Sequence, residues 1–153
     1  MSFLHHRIPP PLVALGCAAL MYGVAYALPQ TTLAWSGRTP MAAVIALCGL
    51  ACDAAGLWAF HRHRTTVNPL APGKASAVVQ DGIYRYTRNP MYVGMALLLA
   101  AWAVWLGNPV ALLVLPVFVA YITRFQIRPE EQALQAKFGA DYTAYMARVR
   151  RWW

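Results

Sequence analysis

The chain has 153 residues, of which 59% are hydrophobic and 12% charged, with a formal net charge of +8. So large an apolar fraction exceeds what a soluble domain of this length hides in its core, which points to lipid as the solvent. The basic residues fall in clusters between long uncharged runs, the pattern of a membrane protein and not of a nucleic-acid-binding face.

The first apolar run predicts a span over about 12–33. His5, His6 and Arg7 could instead begin a cleaved signal peptide, with Ala25-Tyr26-Ala27 as its cleavage site. The run is long for such a peptide's apolar region and ends in tyrosines, so it reads as a span. A second span covers about 41–61 and carries Asp53 among small residues. An acid inside a span is a functional candidate, or a hydrogen-bonding group toward a neighbouring helix, and no role is assigned to it. Cys17, Cys48 and Cys52 all lie inside spans. Without histidine or acid partners at ligand spacing they read as small packing residues, and no metal is called for.

After a polar loop over 62–89, an uncharged stretch runs from Asn89 to Thr123. As a straight helix its roughly 35 residues would be about 52 Å long, against a hydrocarbon core of about 30 Å. The chain must fold back, and Gly107-Asn108-Pro109 is the turn-forming cluster within it. Spans are therefore predicted over about 90–106 and 109–125, followed by an amphipathic helix over about 129–148. That helix carries Leu134, Phe138, Tyr142, Tyr145, Met146 and Val149 on one face. Its end, Arg148 to Trp153, reads as a basic and aromatic membrane anchor. The fold class is thus all-α integral membrane, a single domain of four transmembrane helices with a C-terminal amphipathic helix at the cytoplasmic face. Placing both termini and the central loop in the cytoplasm leaves Arg38 as the one Lys or Arg of thirteen outside.

Polar residues concentrate in the central loop and from Arg124 onward, which this topology brings to one membrane surface. Asn89 and Pro90 suit the N-cap and first position of the third span. The positive end of that helix, reinforced by Arg85 and Arg88, would attract an anion. Tyr84, Tyr86 and Tyr92 suit an interface or a pocket wall, and an ordinary juxtamembrane belt has the same composition. Glu130 and Glu131 complement the dipole of the helix they begin. They are also an adjacent pair among only five acids, suited to holding a cationic ligand.

The run GIYRYTRNPMYVG, followed by RPEEQALQAKFGADYTAYMARVRRW, resembles the isoprenylcysteine carboxyl methyltransferase and phospholipid N-methyltransferase superfamily of integral membrane enzymes. Gly82, Tyr84, Arg88, Asn89, Pro90, Tyr92 and Gly94 match its first motif. Glu130, Glu131, Leu134, Phe138, Gly139, Tyr142 and Tyr145 match its second. The stretch Thr65 to Pro69 also resembles the loop that precedes the first motif in small bacterial members.

The resemblance implies an S-adenosylmethionine-dependent methyltransferase of a bacterial inner membrane. Its cofactor would be held by Tyr84, Asn89, Pro90, Tyr92, Gly94, Glu130 and Glu131, with Arg88, Arg124 and Gln126 as the catalytic positions. Gln126 stands where eukaryotic isoprenylcysteine enzymes often have arginine, and Asn89 replaces a common histidine, so neither a prenylcysteine carboxylate nor imidazole chemistry is required here. The methyl acceptor, a lipophilic or small molecule bearing a carboxylate, thiol or headgroup amine, is left open, as is the oligomeric state. The cofactor carries the reactive methyl, and the protein has to position it and exclude water. A non-enzymatic carrier with Asp53 as its polar site, or an assembly factor on the same scaffold, is the alternative; sensitivity to Asp53→Asn and indifference to Glu131→Gln would mark the carrier.

Overall fold

The structure, a computed structural model, describes residues 8–63 and 77–153. Arg7, Arg64, Lys74 and the Thr65 to Pro69 stretch lie outside the described residues. Every regular element among the described residues is helical: α1 (Pro10–Ala27), α2 (Arg38–Arg62), α3 (Pro90–Leu106), α4 (Pro109–Leu112), α5 (Val114–Ile122), α6 (Arg128–Phe138) and α7 (Ala140–Arg148). Among the described residues three helices are long and apolar enough to cross a membrane: α1, α2 and the nearly continuous helix Pro109–Phe138, while α3 is a shorter apolar helix of 17 residues.

Side chains around α1 and α2 explain why lipid suits them. On α1 only Pro10 and Met21 are buried, and Leu12, Leu15, Leu20 and Tyr22 face outward, as Val44, Leu47, Leu50 and Trp58 do on α2. A helix apolar on every side has no water-facing stripe to offer.

Helix α3 is the element the others gather on. Against α2 it packs through glycines: a Cβ at Gly49 would lie 2.9 Å from the carbonyl O of Gly94, and one at Gly56 would lie 3.0 Å from Met91 Cγ. Small residues at such a crossing let two backbones approach closely. On its other side, Leu99 and Ala103 share a core with Met21 of α1 and with Ala111, Val114, Phe118 and Ile122 of the fourth apolar segment. Trp102 Nε1 donates to the Ala18 carbonyl at 3.1 Å, tying α3 to α1.

The turn between α3 and α4 falls at Gly107-Asn108-Pro109. Gly107 takes φ +69° as the C-cap of α3, and the Asn108 side chain accepts from the amides of Val110 and Ala111 as the N-cap of α4. Asn108 Nδ2 also donates to the Leu28 carbonyl at 3.1 Å and to Thr31 Oγ1 at 2.8 Å, which fixes the end of α1 beside this turn.

Three element boundaries differ from the sequence reading. The first helix stops at Ala27 and not near residue 33, because Pro29 opens a short 3-10 turn, Pro29–Thr31; the residue before a proline is disfavoured in helical geometry. The helix begun at Pro109 does not end near 125. It continues to Phe138, about 45 Å at 1.5 Å per residue. Pro129 is accommodated because Thr123–Ile127 widens into a π-turn just before it, where a missing N–H is absorbed by a shifted hydrogen-bonding pattern. The helix expected over 129–148 is two helices, broken at Gly139, whose φ of +54° and ψ of −122° no helix contains. The break turns α7 back along α6.

Candidate functional site

The two polar clusters meet where α3 begins and α6 runs past it. Between them lies a cavity of about 300 Å³. Its walls come from α1 (Pro10, Pro11), α2 (Leu57, Phe60), the segment Ala77–Val79, the turn Gly82–Arg85, the first turns of α3 and α6, and α7. Most of the lining is apolar or aromatic, with a few placed polar groups, the usual make-up of a small-molecule site.

Tyr84 enters this wall from a 3-10 turn that Gly82 opens at φ +55°. Its ring stands edge-on to Phe60 with centroids 5.5 Å apart, and its carbonyl accepts the Tyr145 hydroxyl at 2.8 Å. Burial pushes the phenols of Tyr84, Tyr142 and Tyr145 above the ordinary tyrosine range, so all three stay protonated.

The adjacent glutamates have different partners. Glu131 is buried and held by two guanidinium groups: Arg88 Nη2 donates to its Oε1 at 2.7 Å, and Arg151 donates through Nε to Oε1 at 3.0 Å and through Nη2 to Oε2 at 2.7 Å. The bond to Glu131 raises the Arg151 pKa. Arg88 also donates through Nη1 to the Met146 carbonyl at 3.2 Å, while its buried Nε has no partner. Glu130, one residue away and on the next face of α6, accepts the Tyr92 hydroxyl at 2.7 Å. No cation among the described residues pairs with it.

Tyr84, Arg88, Asn89, Pro90, Tyr92, Glu130 and Glu131 thus line one cavity. Asn89 does not cap α3 with its side chain; its Nδ2 donates instead to the Arg151 carbonyl at 2.8 Å, and its amide to Thr87 Oγ1 at 3.1 Å. Gly94 lies one turn deeper in the α2–α3 contact, where an added Cβ would overlap Asp53 Oδ1 and come within 2.8 Å of the Gly49 carbonyl. Arg124 is exposed. Gln126 is fully buried and donates to the Ile8 carbonyl at 2.7 Å. Neither Arg124 nor Gln126 is part of the cavity wall.

Sequence reasoning does not find Arg151, because its place in a basic and aromatic C-terminus has the composition of a membrane anchor. The one signal available was the scarcity of acids, since two adjacent glutamates in so basic a chain need cationic partners. Tyr142 and Tyr145 stood in a motif without being assigned to the site, and both line it.

A family model for phospholipid methyltransferases matches residues 38–141, from the start of α2 to the first turn of α7. The chain belongs to this family. It is also similar to an uncharacterized protein of Haemophilus influenzae, 47% identical over 62 residues that make up 40% of this chain and 98% of the relative. No solved structure matches it. A family of membrane methyltransferases and three helices of spanning length fit a membrane location.

Proposed function

We propose that the protein is an S-adenosylmethionine-dependent methyltransferase acting on a lipophilic acceptor, with its cofactor in the cavity between α3, α6 and α7. The observation that carries this reading is the unequal pairing of the two glutamates. Glu131 is held by both Arg88 and Arg151, whereas Glu130 faces the cavity with a phenol as its only partner among the described residues. A carboxylate in an aromatic cavity without a cation is a place for a ligand's ammonium group. The Arg88 guanidinium lines the same cavity and brings positive charge beside it for a ligand carboxylate. Tyr84, Tyr92, Tyr142 and Tyr145 surround these groups with rings whose faces attract positive charge.

These residues fit the three charges of S-adenosylmethionine: ammonium, carboxylate and sulfonium. When bound, it supplies an electrophilic methyl group. The chain's part is to bind and orient. Glu130 and Arg88 hold the amino-acid end, the tyrosines keep water out, and Pro10, Pro11, Leu57, Met91 and Met95 offer an apolar wall to an acceptor arriving from the bilayer. Holding the two reactants in line is worth up to about 7–11 kcal/mol of barrier. We further propose four membrane crossings, with α3 as the third, both termini in the cytoplasm, and a bacterial inner membrane as the location. The rival carrier reading has only Asp53 to build on, and Asp53 packs against Gly94 and does not line the cavity.

The test is calorimetric titration of S-adenosylmethionine into the detergent-purified protein. Wild type is expected to bind saturably, and Glu130→Gln to bind at least tenfold more weakly, a loss of about 1.4 kcal/mol. Failure of the folded wild type to bind would remove the methyltransferase reading, and unaltered binding by Glu130→Gln would remove the assignment of Glu130.

A further inference from the structure

Beyond α7 the chain leaves helical geometry: Val149 takes φ −120° and ψ 132°. The residues that follow run alongside Thr87, Arg88 and Asn89, the segment leading into α3. Arg88 N–H donates to the Arg150 carbonyl at 3.0 Å. The Arg151 carbonyl accepts from Asn89 Nδ2 at 2.8 Å and from Thr87 Oγ1 at 3.3 Å. In the opposite direction the Arg151 guanidinium reaches α6 and grips both oxygens of Glu131. Trp152 then turns inward, packs on the core and donates its indole N–H to Thr123 Oγ1 at 3.1 Å.

We infer that Arg150-Arg151-Trp152 is a positioning strap for the cofactor site, with Arg151 its principal residue; this rests on the methyltransferase reading above. None of the three lines the cavity, yet they bond to Arg88, Asn89 and Glu131, which do. The geometry explains how the strap acts. Glu131 Oε1 receives Arg88 Nη2 and Arg151 Nε together, and Oε2 receives Arg151 Nη2. A fork on both oxygens fixes the plane of a carboxylate, which a single bond leaves free to turn. With that plane fixed, the Arg88 guanidinium has one seat beside the cavity. Without Arg151, Glu131 is free to turn about its remaining bond, and Arg88 keeps only the Met146 carbonyl as a fixed side-chain partner.

A membrane anchor of the same composition would behave differently. Its arginines and tryptophans would point to headgroups. Trp153 is 65% exposed, whereas Trp152 and Arg151 spend their hydrogen bonds inside the protein. Trp153 therefore serves as the internal control.

The full chain in detergent is titrated with S-adenosylmethionine by calorimetry, and its unfolding temperature is recorded with and without the same ligand. Arg151→Ala is expected to bind roughly tenfold more weakly, Arg151→Lys to recover part of the loss by restoring charge without the fork, and Trp153→Ala to match wild type. The stabilisation produced by a saturating dose of ligand should persist in Arg151→Ala once the ligand concentration is raised tenfold. Should Arg151→Ala fail to fold, Arg151→Lys and Trp152→Phe, which keep charge and packing respectively, are expected to weaken binding severalfold by themselves. Wild-type affinity in Arg151→Ala, or in both milder variants, overturns the strap and leaves the methyltransferase reading standing. Equal weakening by Trp153→Ala also overturns it, in favour of a general membrane anchor. Absence of binding by the folded wild type overturns that reading and the strap's role with it.

Discussion

Glu131 and Arg88, 43 residues apart in the chain, meet at 2.7 Å with less than a tenth of the Arg88 side chain exposed. This pair joins the first turn of α6 to the entrance of α3, and so joins the two motifs on which the site depends. Its burial sets its energetics. Replacing Glu131 by Gln leaves the Arg88 cation without a counter-charge, and breaking a buried pair from one side costs about 3–5 kcal/mol. Arg151, with a third of its side chain exposed, can reach water when its partner is lost. Glu131→Gln should therefore unfold well below wild type in a thermal melt without ligand, and Arg151→Ala only slightly below. Equal losses in the two variants would mean that Arg88 is not the buried member of this network.

The sequence made much of this arrangement legible. Uninterrupted apolar runs and the Gly107-Asn108-Pro109 turn announce the helices, because lipid demands apolar length and a hairpin demands turn chemistry. The Tyr84 to Tyr92 and Glu130-Glu131 clusters could be found because polar groups are conspicuous beside a membrane span. Which glutamate lacks a cationic partner among the described residues could not be read, since the answer depends on Arg151, distant in sequence and indistinguishable in composition from a basic anchor. The π-turn at Thr123–Ile127 and the corner at Gly139 were also hidden. Both are backbone solutions to a single residue, Pro129 in one case and a glycine in the other, within segments whose periodicity reads as helix throughout.

The contact of α2 with α3 turns on Gly94. A Cβ there would lie within 2.6 Å of Asp53 Cγ and 2.8 Å of the Gly49 carbonyl, and overpacking of this kind costs about 1–3 kcal/mol. Gly94→Ala should destabilise the protein by that amount and displace the start of α3. Because two of the three closest contacts are with the Asp53 side chain, Asp53→Ala combined with Gly94→Ala should recover part of the loss, a coupling that a double-mutant cycle of thermal melts measures. Strict additivity would place the whole conflict on the Gly49 backbone.

Asn108 and Asn89 both precede a helix-opening proline, but only Asn108 caps with its side chain. Its Oδ1 takes the amides of Val110 and Ala111 at 3.0 and 3.2 Å, and its Nδ2 serves the end of α1. Asn108→Ala deletes a cap and leaves buried groups unpaired, together about 2–3 kcal/mol. Asn108→Asp keeps the cap, loses the donors and should lie between Ala and wild type. Asn89→Ala has no cap to lose, so its effect should appear in ligand affinity, through the Arg151 carbonyl, more than in the melt. Comparable melts for the two alanine variants would contradict this division.

Gly139 offers a test by sign. If residues 129–148 formed one helix, as their periodicity suggests, replacing its internal glycine by alanine would stabilise the protein by about 1 kcal/mol. Instead Gly139 turns the chain at φ +54° and ψ −122°, and a Cβ there would meet nothing within 4 Å. The cost of Gly139→Ala is therefore backbone strain alone, about 1–3 kcal/mol in the destabilising direction. Relief of that strain requires α7 to swing away from α6, which would carry Tyr142 and Tyr145 off the cavity wall and break the 2.8 Å bond from the Tyr145 hydroxyl to the Tyr84 carbonyl. Gly139→Ala should consequently lower both the unfolding temperature and the affinity for S-adenosylmethionine. A rise in unfolding temperature would mean that α6 and α7 are one helix in the membrane, with the two tyrosines carried away from the site.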